Sequence, residues 1–233
     1  MSGKVYRKDW RELRIAVVDT ETTGVNTEKD RVTEIGILTF ENLKPVERYC
    51  KLINPEIPIS KGAQNVSGIT DEMVSPKRPF RKRVDEIKAI LNKADVLCMY
   101  NEAFDRDLLI HEFARCDDEF PDDLCVIDPR IFSDFLVPSG PNTLDAVAQR
   151  MRAYASPELL NELRMKSDRH RADYDALITG IVLERYSQTL PKTLRQLLYV
   201  QDWMYRYWLL YVRQNNQKYA RKLEPTLPPC DFE

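Results

Sequence analysis

Asp19 and Glu21 are the first residues of the sequence whose types and spacing suggest chemistry. They follow a β-branched apolar run, and the stretch Arg14–Asp19 predicts a buried strand that ends at Asp19. Side chains two positions apart on an extended chain point to the same side, so both carboxylates face one way. Paired carboxylate oxygens suit a hard divalent cation. Asp-x-Glu is also common in solvated turns, so the pair alone does not establish a site.

Three further residues, Asp105, His170 and Asp175, could complete such a site. Each aspartate lies near the start of a predicted helix, where it could instead interact only with the helix dipole. His170 precedes Asp175 by five residues, an offset of about 140° on a continuous helix. The two side chains can therefore meet only if His170 lies in a loop just before that helix, and the polar stretch Arg164–Arg171 fits such a loop.

The sequence around these residues resembles the three motifs of the DEDDh 3′→5′ exonucleases, the family of the bacterial proofreading epsilon subunit. Ala16–Gly24 (AVVDTETTG) resembles the first motif, Asn101–Asp105 (NEAFD) the second and His170–Ala176 (HRADYDA) the third. The motifs occur in the family's order, and the resemblance extends over residues 12–187. It implies a ribonuclease H-like α/β fold.

The resemblance also implies a mechanism. Asp19, Glu21, Asp105 and Asp175 would hold two divalent metal ions, Mg²⁺ or Mn²⁺, and the family spacing from His170 selects Asp175 over Asp173. Two such ions can clamp the attacking and leaving oxygens of a phosphodiester. His170 would act as the general base on the attacking water. The expected product is a 5′-mononucleotide.

Six residues are expected from the same resemblance to contact substrate: Thr22, Thr23, Gly24, Ile69, Asn101 and Phe104. The turn Thr22–Gly24 would offer backbone groups to the terminal nucleotide, and Val66–Asp71 resembles the segment near the terminal base. Ser67 and Tyr100 stand where family members often have His, although neither position is a metal ligand in the family. The Glu-Thr-Thr-Gly form of the first motif looks more like that of proofreading and repair relatives than that of oligoribonucleases, which favours DNA over RNA. The expected substrate is single-stranded.

The alternative function is a catalytically silent nucleic-acid-binding or adaptor module, because a fold does not by itself determine function. Retention of all five active-site residues favours the enzyme, since a degenerate copy is expected to have lost at least one.

The elements that must position these residues follow from periodicity. Strands are predicted at 14–19, 32–40, 46–53, 95–100 and 124–127, and helices at 81–92, 104–116, 143–151, 173–188 and 192–223. Residues 54–75, rich in Pro and Gly, are predicted to form one long loop. The result is a five-stranded mixed sheet, an antiparallel meander plus parallel strands, flanked by helices. Residues 1–190 would form the exonuclease domain and residues 191–233 an aromatic-rich C-terminal helix and tail.

The predicted helix 192–223 carries Trp203, Tyr205, Tyr207, Trp208 and Tyr211. Packing against the domain and contact with a protein, either a polymerase or a second copy of this chain, are equally favoured. Stacking with a single-stranded substrate is a less favoured third interpretation. Membrane binding is not indicated, because the helix lacks a basic polar face.

The charge composition limits the kinds of nucleic-acid binding that are expected of this chain. Lys and Arg number 35 against 37 Asp and Glu, a formal net charge of -2, so the chain lacks the positive excess of proteins that coat nucleic acid. A chain-end enzyme with bound cations remains compatible. The basic run Lys77–Arg83 could contact phosphates or form a solvated face. Five scattered cysteines and a polar N-terminal stretch predict reduced thiols and a cytoplasmic location.

Overall fold

A five-stranded sheet organises the protein. The computed structural model describes residues 4–121, 123–137, 139–168 and 170–215, with side chains as far as Tyr211. The strands are β1 (Ile15–Thr22), β2 (Val32–Glu41), β3 (Lys44–Leu52), β4 (Val96–Cys98) and β5 (Val126–Ile127). Their order is β3-β2-β1-β4-β5, with antiparallel pairing from β1 to β3 and parallel pairing of β4 with β1 and β5. The predicted meander and mixed sheet are confirmed.

Strand β1 is longer than its sequence suggests. It continues beyond Asp19 to Thr22 because β2 offers a partner along the whole length, pairing Asp19 with Gly36 and Glu21 with Glu34. An irregularity between Glu21 and Thr22 ends the regular register. Both candidate carboxylates therefore lie on the strand itself.

The helices are α1 (Lys61–Ser67), α2 (Asp71–Val74), α3 (Val84–Leu91), α4 (Glu102–Ala114), α5 (Pro129–Leu136), α6 (Leu144–Met151), α7 (Pro157–Glu162), α8 (Ala172–Tyr186) and α9 (Leu194–Asn215). The prediction of one long loop over residues 54–75 is wrong, since α1 and α2 lie inside it. Ser60 caps the start of α1 by accepting from the Ala63 N–H, and Gly68 ends it at a positive φ of 69°. Helices α5 and α7 were also not predicted, whereas the Thr143 cap of α6 is confirmed.

Two apolar clusters cover opposite faces of the sheet. In β1, Ile15 and Val17 join the cluster beneath α8, while Ala16 and Val18 join the one beneath α3 and α4. This alternation is the ordinary period of a strand. It assigns Asp19 and Glu21 to the α8 side and Thr20 to the α4 side.

The C-terminal helix packs on the domain. Leu194, Leu197 and Leu198 of α9 are buried in the α8-side cluster, which confirms intramolecular packing for these turns. The Gln201 side chain accepts from the Asp128 N–H at 2.8 Å and donates to the Val126 carbonyl at 3.0 Å, and so satisfies the free edge of β5. The part of the predicted helix beyond residue 215 lies outside the described residues. Within the described ranges, no helix is long and apolar enough to cross a lipid bilayer.

Candidate active site

Three carboxylates converge at the end of β1. Asp19, Glu21 and the buried Asp175 of α8 each place one oxygen within 4.8 Å of the others. The convergence follows from the alternation of β1, which turns Asp19 and Glu21 toward α8, and from the position of Asp175 in the first turn of that helix. Three of the four predicted metal ligands are thus brought together.

The fourth predicted ligand, Asp105, approaches from the other face. It lies in the first turn of α4, and its Oδ1 accepts from the Thr20 N–H at 3.0 Å and the Thr20 hydroxyl at 2.6 Å. Thr20 points to the α4 side because it alternates with Asp19 and Glu21. Asp105 is therefore an immediate neighbour of the cluster without belonging to it, and its role as a metal ligand stays a prediction.

The electrostatics of the site favour a bound cation. Burial, with the charges of Asp105, Asp175 and Glu21, raises the pKa of Asp19 well above its usual range. Burial and the charge of Asp175 raise the pKa of Glu21 to about 8, despite an opposing effect of Arg171. Carboxylates gathered in this way need protons or an external cation to offset their repulsion. An all-oxygen donor set of this kind fits a divalent metal such as Mg²⁺ or Mn²⁺.

His170 lies in the turn immediately before α8. Its φ of 64° is left-handed, and Arg171 and then Ala172 follow as the cap and first residue of the helix. The loop required by the five-residue offset from Asp175 is thus present. Gly36 allows this approach, because a Cβ there would lie 2.3 Å from the Ala172 backbone carbon. His170 is half-buried and lies outside the three-carboxylate group.

Glu34 is a functional support that sequence reasoning missed. It is fully buried on β2, bonds to the Arg171 guanidinium at 2.9 Å and accepts from the Ala172 N–H at 3.1 Å. It therefore fixes the start of α8. His170 lies just before this point and Asp175 just after it. Glu34 is the one charged residue in the apolar run Val32–Phe40, and this was the signal that could have revealed it.

Asp128 is a second missed residue. It follows β5, is buried, and accepts from the Asn101 N–H at 3.0 Å and the Glu102 N–H at 3.1 Å. These bonds stabilise Asn101 in a left-handed conformation, φ 66°, at the start of α4. Burial raises the pKa of Asp128 to about 6, although the backbone donors act in the opposite direction. Asp128 thereby orients the helix that carries Asp105.

The family model described as "Exonuclease" (RNase T) matches residues 16–183, more than half of the chain. The chain belongs to this exonuclease family.

Individual relatives agree with this family. The chain is 31% identical over 191 residues to the 3′-5′ exonuclease DinG of Bacillus subtilis (strain 168), an overlap of 79% of this chain and 19% of DinG. It is 36% identical over 113 residues to the DNA polymerase III subunit epsilon of Treponema pallidum (strain Nichols), 46% of this chain and 52% of that subunit. The epsilon subunit of Buchnera aphidicola subsp. Schizaphis graminum (strain Sg) is 31% identical over 178 residues, with 72% and 71% covered. The chain thus spans only a part of the first two relatives.

Solved exonuclease structures share the fold. Exonuclease X in complex with 5′ overhanging duplex DNA has a TM-score of 0.63 at 23% identity, covering 80% of this chain and 99% of that one. Exonuclease I from Methylocaldum szegediense has a TM-score of 0.59 at 19% identity, covering 80% and 43%. The predicted ribonuclease H-like fold is confirmed.

The expected substrate residues of this exonuclease family member lie in different environments. Thr22 and Gly24 are partly exposed, whereas Thr23 is buried and donates to Asp30 at 2.7 Å. Phe104 of α4 is half-buried and Asn101 is exposed. Ile69 is fully buried, and it packs with Ile59 and Val74 beside α1 and α2. Their contacts with substrate remain predictions.

The competing candidates have other partners. Asp173 lies beside Asp175 in sequence but bonds to the Arg48 Nε at 2.7 Å. His111 lies on α4 and pairs with Asp107 at 3.7 Å. In the basic run Lys77–Arg83, Arg81 pairs with Glu56 and Arg83 with Glu86, which favours a structural surface for these two residues.

Proposed function

We propose that the protein is a metal-dependent 3′→5′ exonuclease that hydrolyses the terminal phosphodiester of single-stranded DNA and releases 5′-mononucleotides. The observation that carries this proposal is the convergence of Asp19, Glu21 and Asp175, whose oxygens lie within 4.8 Å of one another. The family membership agrees with it.

Asp19, Glu21 and Asp175 would hold divalent metal ions, with Asp105 joining them from the α4 side. Two such ions supply charge neutralisation on the phosphoryl oxygens and help for the leaving oxygen. His170, in the turn before α8, would take the proton from the attacking water. Glu34 and Asp128 keep the two helix starts that carry these groups in place.

DNA is favoured over RNA by the form of the first motif and by relatives named as subunits of DNA polymerase III. A silent adaptor is the alternative. This alternative is less favoured because the four carboxylates and His170 are all present, and three of the carboxylates converge.

The direct test is to incubate the protein with 5′-labelled DNA and RNA strands of one sequence, with Mg²⁺ or with chelator. We expect a metal-dependent ladder that shortens from the 3′ end, with DNA degraded faster, and no ladder for Asp19→Ala. A folded protein that shortens neither strand in Mg²⁺ or Mn²⁺ would establish the silent-module alternative.

The proposed general-base role of His170 can be tested with a matched control, because the chain contains a second histidine, His111. His170→Ala should lower kcat by about 10²–10⁴-fold, the range for general-base catalysis. His111→Ala should retain the wild-type rate, because His111 pairs with Asp107 on the surface of α4. Equal rates for the two variants would remove His170 from the mechanism.

A further inference from the structure

Four exposed aromatic residues follow one another at every fourth position of α9, and we call them the aromatic stripe: Tyr199, Trp203, Tyr207 and Tyr211. Residues four apart share one face of a helix, at a rise of about 6 Å per step. The exposed fractions of Trp203, Tyr207 and Tyr211 are 55%, 54% and 60%. More than half of the surface of each of these residues is therefore exposed.

The central rings of the stripe are held in position. The rings of Trp203 and Tyr207 stack with centroids 5.7 Å apart, and Phe135 of α5 packs against them at 6.2 Å and 5.8 Å respectively. A pre-ordered ring loses little conformational freedom when a second flat group stacks on it.

The stripe runs toward the end of the sheet that carries the carboxylates. Helix α9 begins where the Leu194 N–H donates to the Lys8 carbonyl, ahead of β1, and its Gln201 bonds across the end of β5. Because β1, β4 and β5 are parallel, their carboxyl ends share one edge. From Gln201 to Tyr211 the helix continues for about 15 Å past that point.

Arg130 connects this helix with the candidate active site. Its guanidinium donates to the Asn101 side-chain oxygen at 2.7 Å, and its central carbon lies 5.9 Å from the Trp208 ring centroid. Asn101 is an expected substrate residue directly before α4. A guanidinium is well suited to phosphate oxygens. A cation and an aromatic surface therefore continue outward from the rim of the site.

We propose that Arg130 and the stripe residues Trp203, Tyr207 and Tyr211 bind the single strand that extends away from the active site, with bases stacked on the rings. This inference rests on the proposed exonuclease function. Stacking tolerates every base, as an enzyme that shortens a strand stepwise requires. It also provides affinity without a positive excess, in agreement with the net charge of -2.

The test compares a long and a minimal substrate. One substrate is a single DNA strand of about 15 nucleotides, in the range of known single-strand sites, and the other is the p-nitrophenyl ester of thymidine 5′-monophosphate. Trp203→Ala with Tyr207→Ala should lower kcat/KM on the strand by about tenfold or more, the loss of at least one stacked base. Hydrolysis of the ester should be unchanged, because the ester does not reach the stripe.

Two controls isolate the rings. The double variant Trp203→Phe with Tyr207→Phe keeps flat aromatic surfaces and should restore most of the strand rate. Tyr154→Ala removes an equally exposed ring, 58%, that follows α6 and should leave both rates unchanged. Thermal unfolding of each variant confirms that it is folded.

The outcomes separate the two proposals. Wild-type hydrolysis of both substrates with no loss in the alanine variant overturns the stripe and leaves the exonuclease standing. If the alanine variant sediments with half the mass of the wild type and its kinetics are unchanged, the stripe is an interface between copies. This result also overturns the strand-binding proposal. If the wild type hydrolyses neither substrate, the exonuclease proposal fails and the strand site fails with it.

Discussion

Carboxylates gather in two regions of this protein, and their surroundings differ. Beside β2, Glu112 of α4 accepts from the Arg31 guanidinium at 2.7 Å and 3.0 Å and from the Val32 N–H at 3.1 Å. Glu34 has an equivalent set in Arg171 and Ala172. At the end of β1, Asp19, Glu21 and Asp175 instead face one another.

The same chemical group therefore serves two purposes. Where the fold supplies a cation and a backbone donor, a buried carboxylate joins elements distant in sequence, as Glu112 does for α4 and β2. Where it supplies mainly other carboxylates, burial and the neighbouring negative charges raise the pKa of Asp19 and Glu21, and a proton or a cation is needed to offset the charge. The first arrangement contributes to folding, whereas the second is the cluster that we propose to bind a metal ion.

The largest expected effect comes from Asp19→Asn. The nuclease rate should fall by more than about 100-fold. Changing a residue that only supports a metal ligand costs up to about 100-fold, and we expect the loss of a ligand itself to cost more. The metal-free stability should be unchanged or higher, because the amide removes one repelling charge. Initial rates and urea unfolding in chelator measure the two effects. A marked loss of metal-free stability would show that the cluster is structural and would end the contrast.

Glu112→Gln should produce the opposite pattern. Arg31 loses its charged partner, and breaking a buried ion pair costs about 3 kcal/mol of unfolding free energy at the lower end of the usual range. The rate per folded molecule should not change, since Glu112 lies among Arg31, Val32 and Arg115 rather than in the cluster. If the nuclease rate of Glu112→Gln fell as far as that of Asp19→Asn, Glu112 would also serve catalysis and the contrast between the two regions would be wrong.

The pH dependence of stability sharpens the contrast further. The folded-state pKa of Glu21, about 8, lies above the ordinary value of 4.5, so the native protein binds more protons between these limits than the unfolded chain. In chelator, the unfolding free energy should therefore fall as pH rises from about 5 to 8. Mg²⁺ should restore much of this loss at pH 8, because it binds only the folded cluster. Denaturant titrations that show no slope in this window would contradict the assigned environment.

The smallest expected effect comes from Gln201, a neutral side chain whose amide forms hydrogen bonds through both its oxygen and its nitrogen. Gln201→Leu leaves the Asp128 N–H and the Val126 carbonyl without this partner, and should cost about 1–2 kcal/mol. Since Asp128 orients Asn101 and Glu102, kcat should fall modestly. The control Gln149→Leu, at an exposed position of α6, should have no effect. An unchanged kcat and stability would show that the β5 edge needs no cover.

Much of the fold and site was accessible from the sequence, and particular residues show why. The alternation of Ile15–Val18 determined which way Asp19 and Glu21 point, because the period of a strand is local. The offset between His170 and Asp175 required a loop before α8 for the same reason. Apolar periodicity located the five strands and the longer helices, whereas α1, α2 and α7 are too short to leave such a signal.

Tertiary structure alone decided the rest. Asp105 bonds to Thr20, Glu34 to Arg171 and Gln201 to the β5 edge, pairs that are 85, 137 and 73 or 75 positions apart in the chain. Local patterns report the face on which a side chain lies, but not which distant group meets it there. Those meetings determine which carboxylates are neutralised by the protein and which face one another, because the balance of burial and charge is set only when the chain has folded.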